Sequence, residues 1–304
     1  MSARVAVGLV LPIGELLFDG VEPTWADISA QVKRAEEVGF DTVWTVDEIL
    51  WRNPNWPSPR GWWECLTITG AVAAASSTVQ VGTWVISALQ RNPGMVARAA
   101  ETLDEISNGR FVLGLGAGHL KGGAKDLGYP EDRTIARYVE ALEIIVPLLR
   151  GQTVTFNGEF HHATDAQVRP RGPRPGKIPL MLGGHSPRTM TLAATHADIW
   201  SAYATTSSLP AAFTTMVEQL NRVCEGVGRD PASLGRSVGV EVAPDAARGA
   251  EAHVPDGAIT GSTDQITETL ASFADIGVTR VEIMPHPSTL DTLDRLAPVL
   301  AALA

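Results

Sequence analysis

Cysteine is nearly absent: Cys65 and Cys224 are the only two in 304 residues. Their wide separation gives neither a disulfide framework nor a metal-ligand spacing, so a reducing compartment and a protein without a metal site are expected. Lysine is almost as scarce, with Lys33, Lys121, Lys125 and Lys177 making up the set, and arginine carries the other positive charges. The formal net charge is -10, which disfavours nonspecific contact with nucleic acid or an anionic membrane. No apolar run reaches the roughly 18 residues that a bilayer span needs. The segment from Met1 to Gly8 carries Arg4 and enters a strand-like run, so it does not read as a signal peptide. A cytoplasmic location is the expectation.

What is present is a core delivered in repeated portions. Hydrophobic residues make up 44% and charged residues 19%, a balance that suits a folded domain rather than a disordered chain. One theme recurs: an amphipathic helix, a small residue, then a short apolar strand. Residues 5–11 form an apolar run without alternation, as a strand buried on both faces should. A helix over 24–38 presents Ile28, Val32, Ala35 and Val38, and Gly39 ends it. The pattern predicts strands over 42–46, 79–87, 111–115, 179–182, 198–201, 237–242 and 280–284. Helices are predicted over 64–75, 93–106, 135–149, 187–196, 209–227 and 263–276. Strands alternating with helices imply a parallel sheet, and about eight units imply closure into a (β/α)8 TIM-type barrel, here a single domain over 1–304. Residues 153–176 break the rhythm. They read as a hairpin turning at Asn157-Gly158, then a Pro/Arg/Gly-rich run, inserted over the barrel mouth.

In a barrel, residues just past each strand's C-terminus converge on one pocket. That rule selects residues 12–14, Asp47-Glu48, Ser87, Gly116-Ala117-Gly118-His119, Gly183-Gly184-His185-Ser186 and Tyr203. Gly183 to Ser186 runs from a strand into a helix start, where backbone N–H groups can bind a phosphate; a plain tight turn with Ser186 as a cap fits equally well. Residues 113–118 echo a dinucleotide fingerprint, but the glycine spacing is wrong for that loop. The loop from 48 to 63 is long and carries Trp51, Trp56, Trp62 and Trp63.

Residues 82–85, the run 103–118 from Leu103 through Gly109-Arg110 to Gly118, residues 179–184 and Ala197-Asp198-Ile199-Trp200 resemble the luciferase-like monooxygenase superfamily from residue 5 to about 285. The resemblance implies an α/β barrel with an insertion that binds FMN or the deazaflavin coenzyme F420, and a homodimer. The arrangement is closer to the F420 branch, in which an Asp-His pair follows the second strand with an aromatic residue beyond. This chain has Asp47-Glu48 with Trp51, and His119 where the sugar-phosphate dehydrogenases carry a glutamate. Acid and imidazole have exchanged places, which puts a sugar phosphate in doubt while leaving a proton-transfer pair. The resemblance also implies a cis peptide at Trp84-Val85 behind the cofactor ring.

The expected cofactor site is therefore Trp84, Val85, Gly116, Ala117 and Gly118 for the ring and Gly183, Gly184, His185 and Ser186 for the phosphate tail. His119 and Glu48 are the candidate acid and base, set against a solvated loop histidine and a salt bridge to Arg52 or Arg91. Asp47 joins them, or only orders the mouth. Trp51 and Trp62 wall a small-molecule substrate, or pack under the loop. Arg133 and Arg137 are expected to pair with Glu131, Glu140 or Glu101. His161-His162 points to opposite faces of a hairpin and suggests no metal. The readings kept open are an F420-dependent oxidoreductase, an FMN-dependent monooxygenase fed by a partner flavin reductase, and a non-catalytic flavin-binding subunit.

Overall fold

A computed structural model describes residues 4–17, 21–53, 56, 58–118, 123–244 and 254–304. Helix α1 spans Trp25–Val38 and lies between strands β1, Ala6–Val10, and β2, Thr42–Thr45. Next come α2 (Cys65–Ala75), β3 (Gln80–Thr83), α3 (Pro93–Ile106), β4 (Phe111–Gly116) and α4 (Thr134–Leu149). Then follow β5 (Leu180–Gly183), α5 (Pro187–His196), β6 (Ile199–Tyr203) and α6 (Ala211–Gly226). The chain finishes with β7 (Gly235–Pro244), α7 (Thr263–Ala271), β8 (Arg280–Pro285) and α8 (Leu290–Leu303). Thus the alternation read from the sequence holds throughout, with α8 added beyond the last expected element. Contacts divide the chain into two compact units, Met1–Trp44 with Gly184–Ala304, and Thr45–Gly183.

In the first unit the parallel strands run in the order β6-β7-β8-β1-β2. Alternate side chains on a strand face opposite ways, and the two faces differ sharply. Val7, Leu9, Val43, Val238, Val240, Val281 and Ile283 form an apolar face, each buried to within a few per cent. The other face is polar at its centre. Glu282 is fully buried there and accepts hydrogen bonds from the Trp44 indole N–H and from Ser237 Oγ (2.9 Å), with Arg280 Nε at 3.3 Å. Burial pushes the Glu282 carboxyl above its ordinary value, opposed by Arg280 and by the hydrogen bonds. Only glycine fits at position 8, because a Cβ there would lie 1.9 Å from Glu282 Oε2 and 2.4 Å from Trp44 Nε1.

In the second unit β4 lies between β3 and β5, all parallel. The strand expected over 79–87 is broken: it stops at Thr83, and Ile86–Ser87 rejoins β4 opposite Leu115 and Gly116. Between them the Trp84–Val85 peptide is cis. The segment over 153–176 forms the expected hairpin, Val154–Asn157 against His162–Ala166. Its turn is longer than predicted, because Glu140 on α4 accepts the N–H groups of Glu159, Phe160 and His161 and holds them off the ladder. Arg133 pairs with Glu159 and Arg137 with Asp132, and both guanidiniums lie over the Phe160 ring. The expected helical pairings of these arginines with Glu131, Glu140 or Glu101 therefore give way to a clamp on the hairpin tip. The Pro/Arg/Gly-rich run supplies Arg174 to the buried Asp104 and Arg171 to the buried Glu101.

Candidate active site

The break at Trp84–Val85 is set by contacts to the neighbouring strands. Thr83 Oγ1 donates to the Gly114 carbonyl (2.9 Å) and accepts from the Gly114 N–H (3.0 Å), while the Trp84 N–H donates to the Thr45 carbonyl (2.7 Å). The chain is thereby pinned where it enters the bulge, and the pairing of Ile86–Ser87 with β4 holds it beyond. Position 114 admits no side chain, since a Cβ would meet Thr83 O at 1.9 Å. At Gly116 a Cβ would come within 2.8 Å of Val85 Cγ2, and at Gly183 within 3.2 Å. The glycines at the ends of β4 and β5 are thus the space into which Val85 fits. Ala117 is half-buried, and Gly118 at φ 71° passes so close to Ser87 that a Cβ would lie 2.4 Å from its hydroxyl. These residues form an apolar wall with almost no side-chain relief.

Beside that wall lies an ionic cluster. Asp47 takes both guanidinium nitrogens of Arg91 (2.6 and 2.8 Å) and the Ser87 N–H (2.8 Å). Arg91 also donates to Glu64 (2.7 Å), which caps α2 by accepting the Thr67 N–H (2.7 Å). Burial alone would raise the Glu64 carboxyl, but Arg91 and Thr67 outweigh it and hold it down at about 2. Asp47 is thus an anchor that ties β2's exit to the Ile86–Ser87 segment. Next to it, Glu48 accepts the Trp51 indole N–H at 2.6 Å. Of the two arginines weighed as its partner, Arg91 donates to Asp47 and Glu64, and Arg52 pairs with Asp126. Trp51 stacks on Trp56 (centroids 6.1 Å apart, 13° between planes) and tilts against Trp62 (5.5 Å). Arg60 sits 4.0 Å over Trp56, and Leu50–Trp51 pairs with Arg60–Gly61. His119 lies outside the described residues.

The loop entering α5 belongs to the other unit from Gly184 onward. Gly184 has φ 131°, and a Cβ there would meet Thr189 Oγ1 at 2.7 Å. Its N–H donates to Ser201 O (3.0 Å), and its carbonyl accepts from the Trp200 indole (2.7 Å). Ser186 caps the helix by accepting the Thr189 N–H at 3.2 Å. Pro187 lacks an N–H, so Arg188 supplies the first backbone donor of the helix end. His185 and Ser186 are exposed.

One grouping is missed by the sequence reading. Tyr203, which that reading does select, donates its hydroxyl hydrogen to Glu241 Oε1 at 2.8 Å, and His286 Nε2 pairs with Glu241 Oε2. The three come from β6, β7 and the residue just after β8. The rule of looking one step past each strand would have found His286. Glu241 is hidden inside an apolar strand, and its only signal is that it shares the parity of Ser237.

The model of the luciferase-like monooxygenase family matches residues 5–253. A 5,10-methylenetetrahydromethanopterin reductase of Archaeoglobus fulgidus is 34% identical over 172 residues, which is 57% of this chain and 47% of that protein. An F420-dependent glucose-6-phosphate dehydrogenase of Amycolatopsis mediterranei is 34% identical over 163 residues, 52% of this chain and 48% of that one. The chain thus matches about half the length of these curated relatives. A solved F420-dependent secondary alcohol dehydrogenase, in complex with an F420-acetone adduct, superposes with TM-score 0.81 at 18% identity, covering 99% of both chains. At that identity the likeness speaks for the fold, which is a TIM-type barrel of eight parallel strands alternating with helices.

Proposed function

We propose, on the premise that this chain belongs to the luciferase-like monooxygenase family, that it is an oxidoreductase passing a hydride between coenzyme F420 and a small organic substrate. The observation that carries the reading is the seat of Val85 among Gly114, Gly116 and Gly183. A flat tricyclic ring needs a smooth apolar backing. Side chains at those three positions would displace the valine that provides it. The chemistry of the donors at His185 to Arg188 suits an anionic tail: backbone N–H groups at a helix start, a hydroxyl and an imidazole. The F420 names of the Amycolatopsis relative and of the solved alcohol dehydrogenase support the deazaflavin over a flavin.

Bound there, the deazaflavin would supply the two-electron hydride chemistry. The chain's own residues would do the rest. Val85 and Trp84 back the ring, and Asp47 with Arg91 keeps that backing fixed to β2's exit. Glu48, held by Trp51, would exchange a proton with substrate, a role this reading also gives to His119. Trp51 and Trp62 exclude water and bound an apolar substrate. The family's description as luciferase-like monooxygenase favours one alternative, a monooxygenase, which in this reading would use reduced FMN and oxygen.

Fluorescence titration with each cofactor separates them. F420 is expected to bind, FMN to bind weakly, and Gly116→Val, whose branched side chain takes the space of Val85, to weaken F420 by at least about tenfold, about 1.4 kcal/mol. Tight FMN binding without F420 binding would overturn the proposal.

A further inference from the structure

Two carboxylates lie on the same face of β7 and β8 and have opposite surroundings. Glu282 is sealed: no part of it is exposed, and Trp44, Ser237 and Arg280 surround it. Glu241 lies across from Met284, two residues further along the ladder than the pairing of Gly239 with Glu282, which is about 7 Å nearer the strands' C-terminal ends. There the network opens. The side chains of Glu241 and His286 are 16% and 28% exposed, and Tyr203 is 36% exposed. A purely structural staple has no need of that access, as Glu282 illustrates. The C-terminal ends of barrel strands are where this fold does its chemistry.

The arrangement is that of an oriented base. Both carboxylate oxygens of Glu241 face donors, the Tyr203 hydroxyl and His286 Nε2. Backbone bonds fix Glu241 and His286: the Glu241 N–H donates to the buried Ser208 hydroxyl (2.8 Å), and the His286 N–H donates to Val242 O (2.8 Å). Burial, then the Glu241 charge, pushes the Tyr203 phenol well above its ordinary range, so it remains a donor. With Nε2–H committed to a carboxylate, an imidazole presents Nδ1 as its acceptor. This is the logic by which a buried acid sets the tautomer of a catalytic histidine.

We infer that His286, oriented by Glu241 and Tyr203, is a catalytic base of this enzyme and that its substrate bears a hydroxyl or carbonyl group. The inference rests on the hydride-transfer reading above. In the oxidation direction the carbinol C–H bond breaks, and the hydride leaves with both electrons to the deazaflavin. The O–H bond breaks too; its proton goes to His286 Nδ1 and its electrons form the C=O bond. The imidazolium, stabilised by Glu241, then releases the proton to water. Reduction of a ketone runs the same steps backwards. Tyr203 and Glu241 act through the imidazole and are positioning residues.

Two measurements test this. The first uses the chain without cofactor, labelled with 15N-histidine and observed at a pH where the rings are neutral. The His286 signal, identified by its loss in His286→Gln, should report the Nε2–H tautomer, and Glu241→Ala should abolish that preference. An Nδ1–H tautomer in the wild type would refute the assignment. The second measures F420 binding and turnover with 2-propanol, cyclohexanol, 1-phenylethanol and their ketones. His286→Gln should bind F420 as the wild type does yet lose about 100-fold or more in kcat, with partial rescue by added imidazole. Unchanged turnover in that variant overturns the inference, as does a wild type that binds F420 but converts none of these compounds. A wild type that does not bind F420 instead sinks the reading beneath it.

Discussion

Single residues decide most at the candidate site, and few of them announce it. Asp47, Glu48, Trp51 and the glycines at 116, 118 and 183 are legible because they follow strands of obvious character. Arg91 and Glu64 are not, for their roles are created by the bulge that brings Ser87 and Asp47 together. Glu64 yields a direct test. Its carboxyl sits at about 2 in the folded chain, below its ordinary 4.5. Such a group adds stability that is complete above the unfolded value and disappears as pH falls through the folded one. Its side chain is half-exposed, so screening reduces the contribution to about 1 kcal/mol. Glu64→Gln should therefore lower the urea midpoint at pH 7, and the gap from wild type should close between pH 4.5 and about 2. A gap that stays constant over that window would show that Glu64 acts as a cap without its charge.

At the level of elements the sequence is most transparent where burial is total. A parallel strand covered on both faces reads as one apolar run, so β1 and β4 stand out, whereas β8 carries Arg280 and the buried Glu282. Amphipathic helices stopped by glycine or serine are equally plain. The break between Thr83 and Ile86 is opaque, because Trp84 and Val85 are good strand residues and only tertiary contacts to Gly114 and Thr45 interrupt them. Helix α8 has leucines at 290, 293, 296 and 300, but Pro298 interrupts the pattern. The cap of α7 illustrates what local chemistry contributes. Ser262 accepts the Gln265 N–H, and the Gln265 side chain accepts the Ser262 N–H at 2.9 Å. Ser262→Ala should cost about 1 kcal/mol in urea unfolding, and an unchanged midpoint would show that packing of Ile266 and Leu270 alone secures the helix.

For the whole molecule, ligand linkage offers a test that does not depend on knowing the substrate. A cofactor that binds only the folded chain stabilises it by about 2.7 kcal/mol at 100 times its Kd. For a chain of this size that is a rise in Tm of roughly 4 °C. F420 should produce such a shift and FMN at the same concentration should not; equal shifts would favour the flavin alternative. The loop from 48 to 63 carries a practical corollary. Its form comes from its own short ladder, its stacked indoles and Arg60, with tethers to Gly123 and Asp126. It is built as a cassette. An engineer exchanging it between homologues should transplant the segment intact, together with the two tether positions, because piecemeal grafting would separate each indole from the neighbour that holds it upright.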